Sequence, residues 1–251
     1  MNIKTLLILL FIIVFSLNAY SQEIKISAKK IVYQRTDPEI SDWRKEFEIT
    51  YPIIMNRLDN SVRRNLRRTL SYWRIFKTPF TEHLNSSWTS NLDYKILYNK
   101  NPLLSISFTW DGVGAYPDSS TEYLVVDLKT GKQVGIKNLF KNASLPKLLI
   151  KIRKSIRQRE NKKLKEDTCF AETIDFQRGS EISSKFHPTP EKVEYKDLSG
   201  FFVSEKGITF LYDYNFAHVV EACEPEKEYF FSWLRLKPFI KREGLLGKFI
   251  R

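Results

Sequence analysis

The sequence predicts an α+β domain, with antiparallel sheet(s) and two main amphipathic helices. Three observations predict it. Short apolar runs of strand character come in pairs, with Lys100-Asn101-Pro102 between the members of one pair and Lys129-Thr130-Gly131 between those of the next. In two other places the apolar spacing lengthens to three and four residues, the period of a helix face. Hydrophobic residues make up 42% and aromatics 14% of the 251 residues, which excludes a disordered or collagen-like chain. Nine Gly and ten Pro likewise exclude a low-complexity polymer. Paired strands with helices inserted between the pairs give the α+β class.

The elements follow in order. Residues 1–21 have the three-part pattern of a secretory signal peptide: Lys4, an apolar run from Leu6 to Leu17, then small residues Ala19 and Ser21 before Gln22. That run is shorter than the roughly 20 residues a membrane span needs, and no second hydrophobic span follows. The expectation is cleavage, leaving residues 22–251 as a single exported α+β domain, periplasmic or secreted; the alternative is that the segment stays as an uncleaved membrane anchor.

Ile24 to Tyr33 reads as a strand, turned by Thr36-Asp37-Pro38, and Glu46 to Tyr51 as a second strand ended by Pro52. Ile54, Leu58, Val62, Leu66, Leu70 and Trp73 then form one helical stripe. Arg57, Arg63, Arg64, Arg67, Arg68 and Arg74 fall on the opposite arc. Asp93 to Asn99 and Leu103 to Trp110 make a hairpin, and Thr121 to Leu128 with Lys132 to Ile136 another. Ser144 caps a second helix with Pro146 in its first turn and Leu145, Leu148, Leu149, Ile152 and Ile156 on one face. After a polar stretch at 171–199, Phe201 to Val203, Ile208 to Tyr214 and Tyr229 to Leu236 read as strands.

The net charge of +12 resides in those two helical segments. Arg57 to Lys77 carries seven basic residues against one acid, and Ser144 to Asp167 nine against three; the remainder is neutral. The chain has two cysteines, Cys169 and Cys223. An oxidising compartment favours their pairing, which closes a loop of about 55 residues, worth roughly 4 kcal/mol on the chain-entropy view. The alternatives are two free thiols or half of a metal site, although neither a C-x-x-C spacing nor a neighbouring His pair is present.

A further set of landmarks runs through the chain: Tyr51-Pro52-Ile53, Leu103-Leu104-Ser105-Ile106, Asp127-Leu128-Lys129-Thr130-Gly131-Lys132 with Asn138-Leu139-Phe140, Gly207-Ile208-Thr209-Phe210 with Tyr212-Asp213-Tyr214, and Leu236-Lys237-Pro238-Phe239. Over about residues 51–240 this order resembles the RsiV-like envelope domain. That domain forms the ectodomain of a lysozyme-sensing anti-sigma factor and the C-terminal part of some peptidoglycan deacetylases. The resemblance implies an extracytoplasmic α+β fold without catalysis of its own. Members often carry Gly-Gly-Ala-His before the D-L-x-T-G-K strand, whereas this chain has Gly112-Val113-Gly114-Ala115-Tyr116-Pro117, so no role of that His passes to Tyr116. Lysozymes of the familiar type are basic, and two basic surfaces repel unless acidic patches intervene.

Catalytic motifs are sparse. His83, His187 and His218 stand in no H-E-x-x-H or H-x-x-H arrangement, so no metal and no cofactor is expected. His218 lies near Glu221 and Glu224, a set that a hydrolase of envelope polysaccharide or peptide could use for acid–base work. Asp111-Gly112-Val113-Gly114 lacks the second half of a phosphate-binding loop, with Pro117 at the last glycine position, and reads as a turn. Trp73, Trp110 and Trp233 lie on core-facing stripes; Trp88 and Tyr116 are candidates for stacking on sugar rings.

The arginine helix is the stronger signal. Arg63/Arg67 and Arg64/Arg68 are like charges one turn apart, which destabilise a helix rather than support it. They point to an anionic envelope component or an acidic protein as partner. Export argues against nucleic acid. The leading expectation is a non-catalytic exported envelope domain binding a cell-wall, glycan or protein partner, with the hydrolase as alternative.

Overall fold

The computed structural model describes residues 23–40, 44–85, 88–100, 102–114, 116–179 and 188–250. The expected signal peptide, Trp43, Ser86, Ser87 and His187 lie outside the described residues. The structure is mixed α and β. A six-stranded sheet takes β1 (Ile26–Gln34), β2 (Glu46–Ile54), β3 (Thr89–Lys100), β4 (Leu103–Val113), β5 (Pro117–Asp127) and β6 (Lys132–Gln133) in sequence order. Every neighbouring pair is antiparallel except β2 and β3, which run parallel and meet at Glu48↔Asn91 and Ile49↔Leu92. Three helices bridge β2 to β3: α1 (Asn60–Thr69), α2 (Tyr72–Ile75) and α3 (Phe80–Asn85). Then come α4 (Ile136–Leu139), the long α5 (Leu145–Glu166) and α6 (Thr168–Gly179). A second, antiparallel sheet of β7 (Gly200–Val203), β8 (Gly207–Leu211) and β9 (Glu228–Ser232) precedes α7 (Trp233–Leu236).

The six-stranded sheet has a core on each face. Along β4, Leu104, Ile106 and Phe108 alternate towards one side, where they meet Phe47, Ile49, Leu92, Leu124 and Val126 under Leu66, Leu70 and Tyr72 of the helical bridge. Leu103 on the other side joins Val125, the second sheet (Val203, Ile208, Phe210, Phe231) and the stripes of α5 and α6 (Leu148, Ile152, Ile156, Phe170, Ile174). This double covering explains why β4 is buried from Leu103 to Phe108, Ser105 and Ser107 included, although its polar and apolar residues alternate. Ser105, fully buried, accepts the Val203 N–H at 3.0 Å and so ties the two sheets together.

Four expectations about local structure need correction. The Ile54–Trp73 stripe is not one helix. Pairing with β1 draws Ile54 into β2 opposite Ile26, Leu58 sits before α1, and Trp73 belongs to α2; sheet hydrogen bonding overrides the helical period there. Pro52 does not end β2, which continues to Ile54 with Pro52 opposite Ala28. Pairing with β3 is confined to Glu48 and Ile49, so Pro52 lies where that side of the strand is unpaired, a position that tolerates a missing N–H. Lys132 to Ile136 splits into β6 and the start of α4, where Asn138 Oδ1 accepts the Gly135 N–H at 3.1 Å. Tyr229 to Leu236 likewise divides into β9 and α7.

The polar stretch after residue 170 contains α6, whose buried side chains are only Phe170 and Ile174, too short a stripe to mark a helix. Cys169 and Cys223 are disulfide-bonded, with 5.7 Å between their Cα atoms. Trp73, Trp110 and Trp233 are half-buried and pack on the two cores.

Candidate functional site

Three of the sequence-derived candidates converge. His218, Glu221 and Glu224 line one cleft of about 960 Å³. One wall is six consecutive residues of β5, Asp118 to Tyr123. The opposite wall is the segment from Asp213 to Glu228, which leaves β8, makes the short 3-10 turn His218–Cys223 and enters β9. The disulfide fastens that turn to the first turn of α6.

Carboxylates dominate the cleft. Asp118, Glu122, Asp213, Glu221, Glu224, Glu226 and Glu228 line it against Lys227 and His218. Lys227 Nζ sits among them, 3.0 Å from Asp213 Oδ2, 3.2 Å from Glu224 Oε2 and 3.9 Å from Glu221 Oε1. His218 Nδ1 lies 3.1 Å from Glu221 Oε2, both side chains being exposed. The Glu224 side chain, by contrast, is only 4% exposed. Burial, and then the adjoining Asp213 carboxylate, push Glu224 up to about 7 against the opposing pull of Lys227. Burial also acts to raise Asp213, but Glu224, the Asn215 N–H and Lys227 together hold it below the usual carboxylate value. Glu224 is thus the member of the acid pair that takes up a proton first as pH falls, with an ammonium bridging both. Burial raises Glu122 too, partly offset by Lys77. Among the described residues, no three His, Cys, Asp or Glu are grouped as a metal site.

Of the aromatic candidates, Tyr116 stands near the cleft. Tyr116, at the β4–β5 turn, is 72% exposed, and its ring centroid lies 6.4 Å from that of His218. Trp88 is also exposed and its carbonyl accepts the Val113 N–H at 2.6 Å. Its ring lies so close over Gly114 that a Cβ there would come within 1.4 Å of it, so any side chain at this point would have to displace the ring.

The arginines are elsewhere. Arg63, Arg64, Arg67 and Arg68 are exposed on α1, and none meets a carboxylate at ion-pair distance among the described residues. Arg63 and Arg67 edge an apolar cleft of about 450 Å³ with Met55, Leu58 and Trp73. Arg68 faces the other way, into a cleft of about 590 Å³ with Arg74, Lys77 and Lys132. The six proposed ligand-binding residues therefore do not form one surface: Arg63 and Arg67, Arg68, and the Trp88–Tyr116 pair lie in three places, and the Arg68 cleft adjoins the acidic one through Glu122, Tyr123 and Ser199.

Sequence reading missed Asp118, Glu122, Asp213, Glu226, Lys227 and Glu228. Part of this was visible, because Glu221, Glu224, Glu226 and Glu228 fall within eight residues. The contribution of β5, about a hundred residues earlier, had no local signal.

No family model matches the sequence, and no curated protein is significantly similar to it. Solved structures do match. A DUF3298 family member from Bacteroides fragilis superposes with a TM-score of 0.56 at 12% identity, over 91% of this chain and 98% of that one. A DUF3298 family protein from Pseudomonas aeruginosa gives 0.54 at 13% identity, over 87% and 94%. This chain therefore shares the fold of DUF3298 proteins across most of its length.

Proposed function

We propose that this is an exported, non-catalytic domain of the cell envelope that binds a cationic protein partner in the acidic cleft. The observation that carries the reading is the convergence of seven carboxylates from β5 and the 213–228 segment on one cleft of an otherwise basic protein. Such a patch steers and orients a partner of opposite charge. The likeness of the sequence landmarks to the RsiV-like domain supports a basic lysozyme as that partner, since the cleft supplies the acidic surface that docking requires. The disulfide fits an oxidising compartment, and no described helix is long and apolar enough to cross a membrane. Titrating the protein with a basic lysozyme at low salt tests this. Replacing Glu221, Glu226 and Glu228 by Gln is expected to weaken binding at least tenfold; unchanged affinity overturns the proposal.

One observation favours the hydrolase reading: His218, Glu221 and Glu224 do share a cleft, in which burial and Asp213 push Glu224 up to about 7. Burial of Glu224 and its contact with Lys227 favour a role in holding the cleft wall instead. Loss of envelope-polysaccharide or peptide cleavage in both His218→Ala and Glu224→Gln is the result that would establish catalysis. The arginine face of α1 is a second proposed contact, for anionic envelope material, and exposed Trp88 and Tyr116 are proposed stacking positions, Tyr116 beside His218 of the cleft.

A further inference from the structure

Six consecutive residues, Asp118 to Tyr123, line the acidic cleft. Successive side chains of a strand point to opposite faces, so a cleft that touches all six runs along the edge of β5 and not over one face. The hydrogen-bonding parity of the strand identifies which backbone groups lie on that edge. The Val125 carbonyl accepts the Val134 N–H at 2.7 Å, on the side away from β4. Pairing of β4 with β5 is continuous from Leu103↔Asp127 to Val113↔Pro117, so the main-chain groups of Tyr123, Thr121 and Ser119 point the same way as those of Val125. β6 and Val134 cover this edge only from Val125 to Asp127. β7 packs over the face, where Phe202 stacks on Tyr123 at 5.0 Å, and pairs only with β8. Ser119 N–H is satisfied by Asp118 Oδ1 at 2.8 Å. The Thr121 and Tyr123 N–H groups have no backbone acceptor among the described residues. Pro117 to Glu122 are all exposed, a free edge of about 20 Å.

From this we infer that the partner enters as an extended basic peptide segment, which adds as a strand to the edge of β5 and places Lys or Arg side chains against Glu221, Glu226 and Glu228. The inference rests on the acidic cleft being the partner site. Strand addition supplies affinity through main-chain bonds, and the side chains between them supply selectivity. Charge complementarity selects the peptide: an edge that carries Asp118 and Glu122 and faces five more carboxylates across the cleft repels an acidic strand and admits a basic one. This holds up to Tyr123, where the edge also meets the cleft of Arg68, Arg74, Lys77 and Lys132.

The test uses the whole protein and a synthetic seven-residue peptide of alternating Lys and Thr, blocked at both ends. Binding is read by fluorescence anisotropy, and amide hydrogen exchange is followed residue by residue. The expected result is binding that weakens with salt, with at least tenfold slower exchange at Thr121 and Tyr123. Thr121→Pro, which removes an edge N–H without breaking a β4 bond, is expected to weaken the peptide at least tenfold while its melting temperature stays close to that of the parent. The peptide N-methylated at alternate residues is the companion probe: one methylation register abolishes binding and the other preserves it. Binding without protection at Thr121 and Tyr123, or equal binding by both methylated registers, overturns strand addition but leaves the cleft as the partner site. Failure of both the peptide and a basic lysozyme to bind overturns both readings.

Discussion

Arg178 on α6 grips Glu160 on α5 through two parallel N–H···O bonds, of 2.7 and 3.0 Å, with the Glu160 side chain only 6% exposed. Glu160 is the fourth member of a buried stripe that begins Leu148, Ile152, Ile156. A carboxylate in that row is tolerable because the guanidinium matches it in geometry as well as charge. The same guanidinium donates to the Pro188 carbonyl at 3.2 Å, so one arginine joins α5, α6 and the chain that follows.

Arg178→Ala strands a buried carboxylate, and the expected loss is about 3–5 kcal/mol. The variant in which Glu160 is also replaced by Ala is expected to lose less than the two single losses added together. Urea unfolding of the four proteins measures this. Loss below about 1 kcal/mol in the single variant contradicts the account, since an exposed pair contributes no more than that.

The disulfide has both a stability and a functional consequence. Closing a loop of about 55 residues contributes roughly 4 kcal/mol on the chain-entropy view. It also pins the His218–Cys223 turn, which carries Glu221 and is followed directly by Glu224. Replacing Cys169 and Cys223 by Ser is expected to lower the melting temperature and weaken binding in the acidic cleft together. Intact cleft affinity in the folded variant would show that the turn holds its shape without the bond.

Glu224 gives the cleft wall a pH dependence of defined sign. Its folded value of about 7 lies above its ordinary 4.5, so the folded protein holds that proton more tightly than the unfolded chain does. The resulting stabilisation is complete below about pH 4.5 and is lost as pH rises through 7. Asp213, held below its ordinary 3.8, acts in the opposite sense: its contribution is present above 3.8 and lost as pH falls further. Glu224→Gln, neutral throughout, is expected to flatten the dependence between pH 5 and 8 in urea midpoints. A parallel slope in parent and variant assigns the dependence to another group.

The four arginines of α1 are expected to contribute to binding and little to stability. Arg63/Arg67 and Arg64/Arg68 repel by about 0.2–0.5 kcal/mol per pair, and the lower helix propensity of Ser offsets that gain on replacement. The fourfold Arg→Ser protein should therefore unfold within about 1 kcal/mol of the parent. Its binding to vesicles containing anionic phospholipid should fall at least tenfold. Equal vesicle binding removes the arginine face as a contact.

The sequence by itself determined the fold class, the long basic helix from Leu145, the hairpin of β3 and β4, and the position of the charge excess. Each rests on patterns within some twenty residues, where spacing alone decides which side chains share a face. It also brought His218, Glu221 and Glu224 together, because they lie within seven residues, in one short turn and the residue that follows it. Tertiary structure decided the rest. Long-range pairing with β1 drew Ile54 out of its helical stripe, and packing rather than pattern made a helix of Thr168–Gly179. The acidic cleft exists only because β5 and the 213–228 segment, about a hundred residues apart, are brought face to face by the stacking of two sheets. Charge that is neutral when counted along the chain is concentrated in space, and that separation between sequence distance and spatial distance hid the cleft from the sequence.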